Sequence, residues 1–140
     1  MDAKGRVSVP AQFRAALKEQ RGVYCFRAIL LPAVECWRSE ELDRLAQQVY
    51  ELPTFSQDQS DYQAILADAE LVTWDETGRI VLPKRLAEYA GIGEEALFAG
   101  GGRSFRIWSP ETFERHDTEQ RAQLAGRRAG LPTPAPGGGK

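Results

Sequence analysis

Hydrophobic residues follow two different spacings along the chain, and the same succession of spacings occurs twice. Short runs of β-branched and apolar residues at 7–9 and 80–82 are typical of strands. A proline follows each run, and this residue suits the first position of a helix. Apolar residues then recur at helical spacing, at Phe13, Ala16 and Leu17 and again at Leu86, Tyr89 and Ala90. The pattern therefore predicts a strand followed by a helix, twice.

The residues themselves repeat in register. The run DAKGRVSVP at residues 2–10 is echoed 73 residues later by DETGRIVLP at residues 75–83. A second echo follows each run, where an apolar stretch ends in tryptophan just before a helix start, as ECWRSEE at 35–41 and RIWSPE at 106–111. Two echoes in the same order indicate a duplicated chain with two related halves.

Each repeated run contains a predicted tight turn. Gly5 and Gly78 supply the residue that can adopt a positive φ, so D-x-x-G-R is expected to connect two strands. Residues 71–74 provide the strand that leads into the second turn. The first turn begins directly after Met1, so we expect that its leading strand is missing through a misassigned start or a shortened chain.

The remaining elements follow from local chemistry. Residues 23–31 and 96–108 each read as strand, turn and strand, the second hinged at glycines 100–102. Ser39 and Ser109 are predicted N-caps of the helices that follow. Two helices are expected in the acidic segment 39–69, broken at Pro53. The expected division is a first half at 1–43, a helical acidic connector at 44–70, a second half at 71–117, and a largely disordered tail at 118–140.

Composition narrows the class of protein. The chain has 140 residues, of which 42% are hydrophobic and 27% charged, as in globular proteins. No apolar run approaches the roughly 20 residues of a membrane helix. The N-terminus lacks the apolar stretch of a secretory signal, so a cytoplasmic location is expected. Cys25 and Cys36 are interpreted as buried reduced thiols, and with His116 alone beside them no zinc site is expected.

The net charge of −2 argues at first against nucleic acid, because DNA-binding proteins usually carry a basic surplus. The distribution of charge changes this interpretation. Residues 1–38 carry +4, residues 39–77 carry −9, and residues 78–140 carry +3. Acidic residues are concentrated in the middle of the chain, so the flanking segments could form a local positive face.

The turn arginines have the chemistry of base recognition. A guanidinium can donate two hydrogen bonds to guanine O6 and N7 or bind a phosphate, while the aspartate holds it in place. The alternative is a structural turn whose arginine only pairs with its own aspartate. Neighbouring cations could contact phosphates, or could simply be solvated: Lys4, Arg14, Lys18, Lys84 and Arg85.

No catalytic residues are predicted. The glycines at 100–102 and 137–139 do not match the spacing of a phosphate-binding loop, and His116 lacks an arrangement of nucleophile and acid. The three tryptophans are interpreted as core or subunit-contact residues. We expect no enzyme activity, no cofactor, no metal and no small-molecule substrate.

The two runs DAKGRVSVPAQFR and DETGRIVLPKRLAEYAG resemble the duplicated motif of the MraZ family, bacterial transcription regulators of the AbrB-like swapped-hairpin class. The resemblance covers residues 2–115. It implies an α+β fold in which two pseudo-repeated β-rich halves form a swapped-hairpin, double-split β-barrel with short helices. It also implies that the D-x-x-x-R turns face DNA, which places Asp2, Arg6, Asp75 and Arg79 at the interface.

The resemblance further implies a ring-like homo-oligomer that binds repeated boxes in promoter DNA of the division and cell-wall gene cluster containing its own gene. The expected partners are therefore double-stranded DNA and further copies of the chain, in the nucleoid, with no membrane. Two alternatives remain open. One is an antitoxin-type autorepressor of the same fold, and the other is a protein-interaction scaffold that does not bind DNA.

Overall fold

The computed structural model of the chain describes residues 1–2, 4–16, 22–100 and 104–127. Within these ranges the chain is an α+β protein with seven strands and five helices. In chain order they are β1 (Arg6–Ser8), α1 (Ala11–Ala16), β2 (Gly22–Arg27), β3 (Val34–Trp37), α2 (Ser39–Glu51), α3 (Gln57–Asp68), β4 (Glu70–Thr73), β5 (Arg79–Val81), α4 (Lys84–Ala90), β6 (Leu97–Gly100), β7 (Phe105–Trp108) and α5 (Pro110–Arg127).

The strands form two antiparallel sheets that mix the two halves of the repeat. The larger sheet has the order β4-β2-β3-β7-β6, and the smaller sheet pairs β1 with β5. In the larger sheet, β2 of the first half pairs with β4 of the second, and β3 of the first half pairs with β7 of the second. The described strands do not close into a barrel. Each half therefore depends on the other for its strand partners.

One hydrophobic core joins both sheets to helix α4. Val23 and Val34 of the first half and Ile107 of the second are fully buried in the larger sheet. Ile80 contributes from the smaller sheet, and Leu86 packs into the same cluster with no exposed surface. Because the core is built from residues of both repeats, we expect that neither half folds without the other.

Several predicted features are confirmed. Gly5 and Gly78 both have the predicted positive φ, at 80° in each turn. The acidic middle forms two helices, and the break between them contains Pro53. The cysteines Cys25 and Cys36 are free and buried, with their sulfur atoms 3.7 Å apart on neighbouring strands.

Other predicted boundaries were wrong by a residue. Ser39 is the first residue of α2 rather than its N-cap, which is Arg38. The extended backbone of Arg38 provides the cap position without a side-chain hydrogen bond. Pro83 likewise lies at the N-cap of α4 rather than inside it. The glycines predicted to hinge the β6–β7 turn lie at the edge of the described residues, which exclude 101–103.

The predicted tail requires a correction. The described residues up to Pro110 form one compact unit, and residues 111–127 belong to a second. Helix α5 continues to Arg127, so the prediction of a largely disordered tail was wrong for residues 118–127, which are helical. These residues are mostly strong helix formers, and Gly126 is the first residue that weakens the helix. In the described part of the chain, no helix is long and apolar enough to cross a membrane.

The core provides a direct test of the packing. Replacement of Leu86 by alanine should lower the free energy of unfolding by about 2–5 kcal/mol, because it leaves a cavity in a fully buried site. Replacement of Leu71, which is 49% exposed on β4, is the matched control and should cost far less. Urea denaturation of the two variants measures the difference. Equal losses would contradict the assignment of Leu86 to the core.

Candidate nucleic-acid interface

The two repeated runs meet in a two-stranded antiparallel ribbon. Strands β1 and β5 pair so that Arg6 faces Val81, Val7 faces Ile80, and Ser8 faces Arg79. Val7 and Ile80 point into the core with 6% and 1% of their surface exposed. Because side chains alternate along a strand, the other four residues share the outward face: Arg6, Ser8, Arg79 and Val81. We call this set the ribbon face.

Reciprocal backbone hydrogen bonds relate the two halves of the ribbon by an approximate two-fold axis. The amide of Leu82 donates to the carbonyl of Gly5 over 3.0 Å, and the amide of Val9 donates to the carbonyl of Gly78 over 3.0 Å. Each turn is therefore bonded to the end of the other half's strand. Hydrogen bonds alternate along an antiparallel pair, so Arg6–Val81 and Ser8–Arg79 are pairs without direct backbone bonds, in which side chains approach closely.

The first turn is organised by one carboxylate. Oδ1 of Asp2 accepts from the amides of Lys4 and Arg6, each over 2.9 Å, and Oδ2 accepts from Nε of Arg6 over 2.6 Å. The amide of Gly5 also donates to the Asp2 carbonyl. The aspartate thus closes the turn with one oxygen and holds the arginine with the other.

The second turn repeats this arrangement. Oδ1 of Asp75 accepts from the amides of Thr77 and Arg79 over 2.9 and 3.0 Å, and Oδ2 accepts from Nε of Arg79 over 3.1 Å. The Thr77 hydroxyl adds a bond of 2.8 Å to Oδ1, which Lys4 cannot supply in the first turn. The same geometry at both sites shows that the aspartate and arginine act as a unit.

These hydrogen bonds stabilise the charged form of both aspartates. The backbone amide of Arg6 is the main cause that lowers the pKa of Asp2 below its ordinary value of 3.8. At Asp75, the amide of Arg79 and then the Thr77 hydroxyl lower the pKa of the carboxyl well below that value. Both aspartates are therefore ionised in the folded protein at neutral pH.

The arginines keep donors for a ligand. Each is held through Nε, and about a third of each side chain is exposed. Among the described residues, their terminal amino groups have no acceptor, so they can donate to another molecule. Arg6 and Arg79 are diagonal neighbours across the ribbon, so their Cα atoms are about 7–8 Å apart. The ribbon therefore presents two fixed guanidinium groups on one face.

Cations flank both turns. Lys4 and Lys84 line one open groove of about 540 Å³ beside the first turn, and Val81 lies in the same groove. Lys84 is 89% exposed. Arg14 covers the second turn so closely that a Cβ on Gly78 would lie 2.6 Å from its Cδ atom. Positive charge from one half is thus placed beside the turn of the other.

Arg85 does not join this group. Its guanidinium donates to Asp68 over 2.8 Å and to Glu70 over 3.1 Å, and it also bonds the Asp68 carbonyl. Asp68 additionally binds Arg27. Arg85 is therefore part of an ion-pair cluster that connects α4 to α3 and β4. Lys18, the other predicted phosphate contact, lies outside the described residues.

Sequence reasoning missed two residues of the ribbon face. Ser8 is exposed, and Val81 has 55% of its surface exposed although it is apolar. The available signal was the alternation of strand side chains, since both residues lie two positions after a turn arginine. The pairing of β1 with β5 was needed to place them beside the opposite arginine.

Comparison with known proteins identifies the family. A family model described as "MraZ protein, putative antitoxin-like" matches the chain twice, at residues 1–64 and 65–129. The chain belongs to the MraZ family. The two matches together cover nearly the whole chain, and the boundary between them, at residues 64 and 65, lies within α3 and separates the two repeated runs.

Curated relatives carry the same family name. The "Transcriptional regulator MraZ" of Gluconacetobacter diazotrophicus is 41% identical over 143 residues, which cover 93% of this chain and 90% of the relative. The protein of that name from Beijerinckia indica is 36% identical, covering 94% and 82%. That of Rickettsia akari is 35% identical, covering 83% and 80%. This member of the MraZ family is accordingly a transcription regulator.

The carboxylate of Asp75 can be titrated directly. NMR should give a pKa below 3.8, and replacement of Thr77 by valine should raise that pKa because it removes one bond to Oδ1. A pKa that is lowered in the folded state stabilises the fold above the unfolded value of 3.8, and this contribution is lost as the pH falls through the folded value. A folded pKa at or above 3.8 would contradict the hydrogen-bonded turn.

Proposed function

We propose that this MraZ family member binds double-stranded promoter DNA sequence-specifically, by placing the β1–β5 ribbon in the major groove. The observation that carries the proposal is the position of Arg6 and Arg79 on one outward face, each held by the aspartate of its own turn. A major groove about 12 Å wide accepts a two-stranded ribbon. The proposed base contacts are bidentate bonds from each guanidinium to guanine O6 and N7.

The aspartates contribute by preorganisation. An arginine side chain has many rotamers, and fixing it on binding costs free energy. Here Asp2 and Asp75 hold Nε before DNA arrives, so less of that cost falls on the binding step. Two arginines about 7–8 Å apart match the separation of bases two steps apart along the duplex, since each step rises about 3.4 Å.

Phosphate contacts would come from the flanking cations. Lys4 and Lys84 lie beside the first turn, and Arg14 lies over the second, so the duplex backbone could be held on both sides of the ribbon. Such contacts add affinity that falls with salt but no sequence information. We place Arg85 outside this set, because Asp68 and Glu70 already neutralise it.

For the whole molecule we propose the swapped-hairpin arrangement of the AbrB-like class, with residues 1–43 and 71–117 as its two halves and residues 44–70 as the connector. A ring-like homo-oligomer of such subunits would engage repeated boxes at once and gain affinity by avidity. Exposed apolar side chains support self-association. Leu30 at the β2–β3 turn and Phe55 at the α2–α3 turn are 95% and 96% exposed.

The proposed target is the promoter of the division and cell-wall gene cluster that contains the gene itself, with repression as the output. The proposed partners are thus promoter DNA and other copies of the chain in the nucleoid. No small-molecule substrate, cofactor or membrane is part of this function. The charge distribution supports it, since the basic surplus lies in residues 1–38 and 78–140, the segments that supply β1 and β5.

The family description favours one alternative, an antitoxin-type autorepressor. Such a protein would bind its own promoter with the same ribbon and neutralise a toxin through its tail. An adjacent toxin gene would support this alternative. A scaffold that never binds DNA is the second alternative, and DNA-binding measurements separate it from both.

Arginine substitutions test the ribbon. Arg6→Ala and Arg79→Ala should each weaken binding to the upstream DNA of the chain's own operon by roughly fivefold to a hundredfold, since a bidentate base contact contributes about 1–3 kcal/mol. Fluorescence anisotropy at fixed salt measures the affinity. Arg44→Ala, which removes an equal charge from α2, is the matched control and should change affinity little.

The results separate the candidate functions. Unchanged affinity in both ribbon variants would remove Arg6 and Arg79 from the site, and no binding by the unaltered protein would favour the scaffold. The variants must also elute like the unaltered protein in size exclusion, because loss of assembly would lower affinity without loss of a base contact.

Assembly is tested at the exposed apolar residues. Leu30 and Phe55 have φ of 68° and 66°, which asparagine tolerates, so Leu30→Asn and Phe55→Asn remove apolar surface without adding backbone strain. We expect the double variant to shift to smaller species in analytical ultracentrifugation. Gln63→Asn on exposed α3 is the control. An unchanged sedimentation coefficient would contradict a role of these two residues in assembly.

A further inference from the structure

The ribbon face departs from two-fold symmetry at one pair of positions. Arg6 and Arg79 are equivalent, since they are 73 residues apart in the repeat. The other outward pair is Ser8 and Val81, also 73 residues apart, so a hydroxyl in one half corresponds to an isopropyl group in the other. The ribbon face therefore carries two identical donors and two unlike side chains. It lacks exact two-fold symmetry, so its two orientations on a ligand are not equivalent.

The fold does not require valine at this position. Val81 points away from the core, with 55% of its surface exposed, whereas its neighbours Ile80 and Leu82 are 1% and 3% exposed. Ser8 occupies the equivalent place in β1, and the strand forms there with the same alternation of buried and exposed residues. An apolar side chain with more than half of its surface exposed is available to a ligand.

The surroundings of Val81 are those of a groove contact. It is the cross-strand partner of Arg6, in a pair without direct backbone bonds, so the two side chains lie close together. It also lines the open groove shared with Lys4 and Lys84. An apolar group is thus placed between a predicted base contact and predicted phosphate contacts.

We infer that Val81 contacts the 5-methyl group of a thymine beside the base contacted by Arg6. The thymine methyl is the one apolar group that base pairs present in the major groove of unmodified DNA, and arginine or serine cannot recognise it by hydrogen bonding. Ser8, beside Arg79, would face a polar base edge instead. This inference rests on the proposed function and adds that the ribbon recognises a box in one orientation only.

Uracil-substituted DNA tests the contact. Deoxyuridine keeps the hydrogen bonds of thymine and lacks only the methyl group, so a duplex carrying the bound box is made with each thymine replaced in turn. We expect the unaltered protein to lose about fourfold in affinity at one position, the loss that burial of one methyl-sized group implies. The Val81→Ala variant should bind the thymine duplex more weakly than the unaltered protein does, by a similar factor. Replacement of that thymine by uracil should not weaken the binding of this variant any further.

Matched variants make the result specific. Ser8→Ala lies on the same face and should keep the sensitivity to uracil, as should Leu71→Ala, which shortens an exposed apolar residue on β4. Circular dichroism and size exclusion check that each variant is folded and assembled. The inference is supported if uracil substitution still weakens DNA binding by Ser8→Ala and Leu71→Ala but no longer weakens binding by Val81→Ala.

Three outcomes would overturn it. The unaltered protein could bind every uracil duplex as tightly as the thymine duplex, or Val81→Ala could remain sensitive, which would assign the methyl to another residue. A changed oligomer in Val81→Ala would place the valine at a subunit contact instead. These outcomes leave the DNA-binding role intact if Arg79→Ala still weakens binding, whereas absence of any binding by the unaltered protein refutes the proposed function itself.

Discussion

The structure of the site depends on the register in which β1 pairs with β5. Each turn glycine accepts a hydrogen bond from the strand of the other half, so both ends of the ribbon are held at once. A slip of one residue would turn either Val7 or Ile80 outward and bury the arginine of that same strand. Burial of those two apolar residues therefore determines the direction of the two guanidinium groups, although it involves neither of them.

Local chemistry was sufficient to predict the parts of the site that lie within one turn. The glycines with positive φ, the aspartate that closes each turn and the arginine it holds are at most four residues apart. Their spacing in the sequence reports their geometry directly, and the repeat provided a second copy of the same evidence. The break between α2 and α3 was predictable for the same reason, since proline acts on its own neighbourhood.

Features that depend on distant residues could not be predicted in this way. The ribbon joins residues more than seventy positions apart, and only that pairing places Val81 beside Arg6. Arg85 has the sequence context of a phosphate contact, yet it pairs with Asp68 from the end of α3. A basic residue beside a turn can contact a phosphate or form an ion pair. Which of the two it does depends on where the tertiary structure places an acidic residue, and the local sequence does not report that position.

Duplication within one chain has a consequence that a symmetric dimer does not share. In a homodimer every substitution appears on both sides of the two-fold axis, so the two halves of an interface remain identical. Here the halves have diverged while the ribbon kept its register: Ala87 stands in α4 where α1 has Arg14, and Val81 stands in β5 where β1 has Ser8. The conserved turns hold the arginines in equivalent geometry, and the positions between them are free to differ. If the ribbon binds DNA as proposed, its two unlike halves would suit a sequence that is not palindromic.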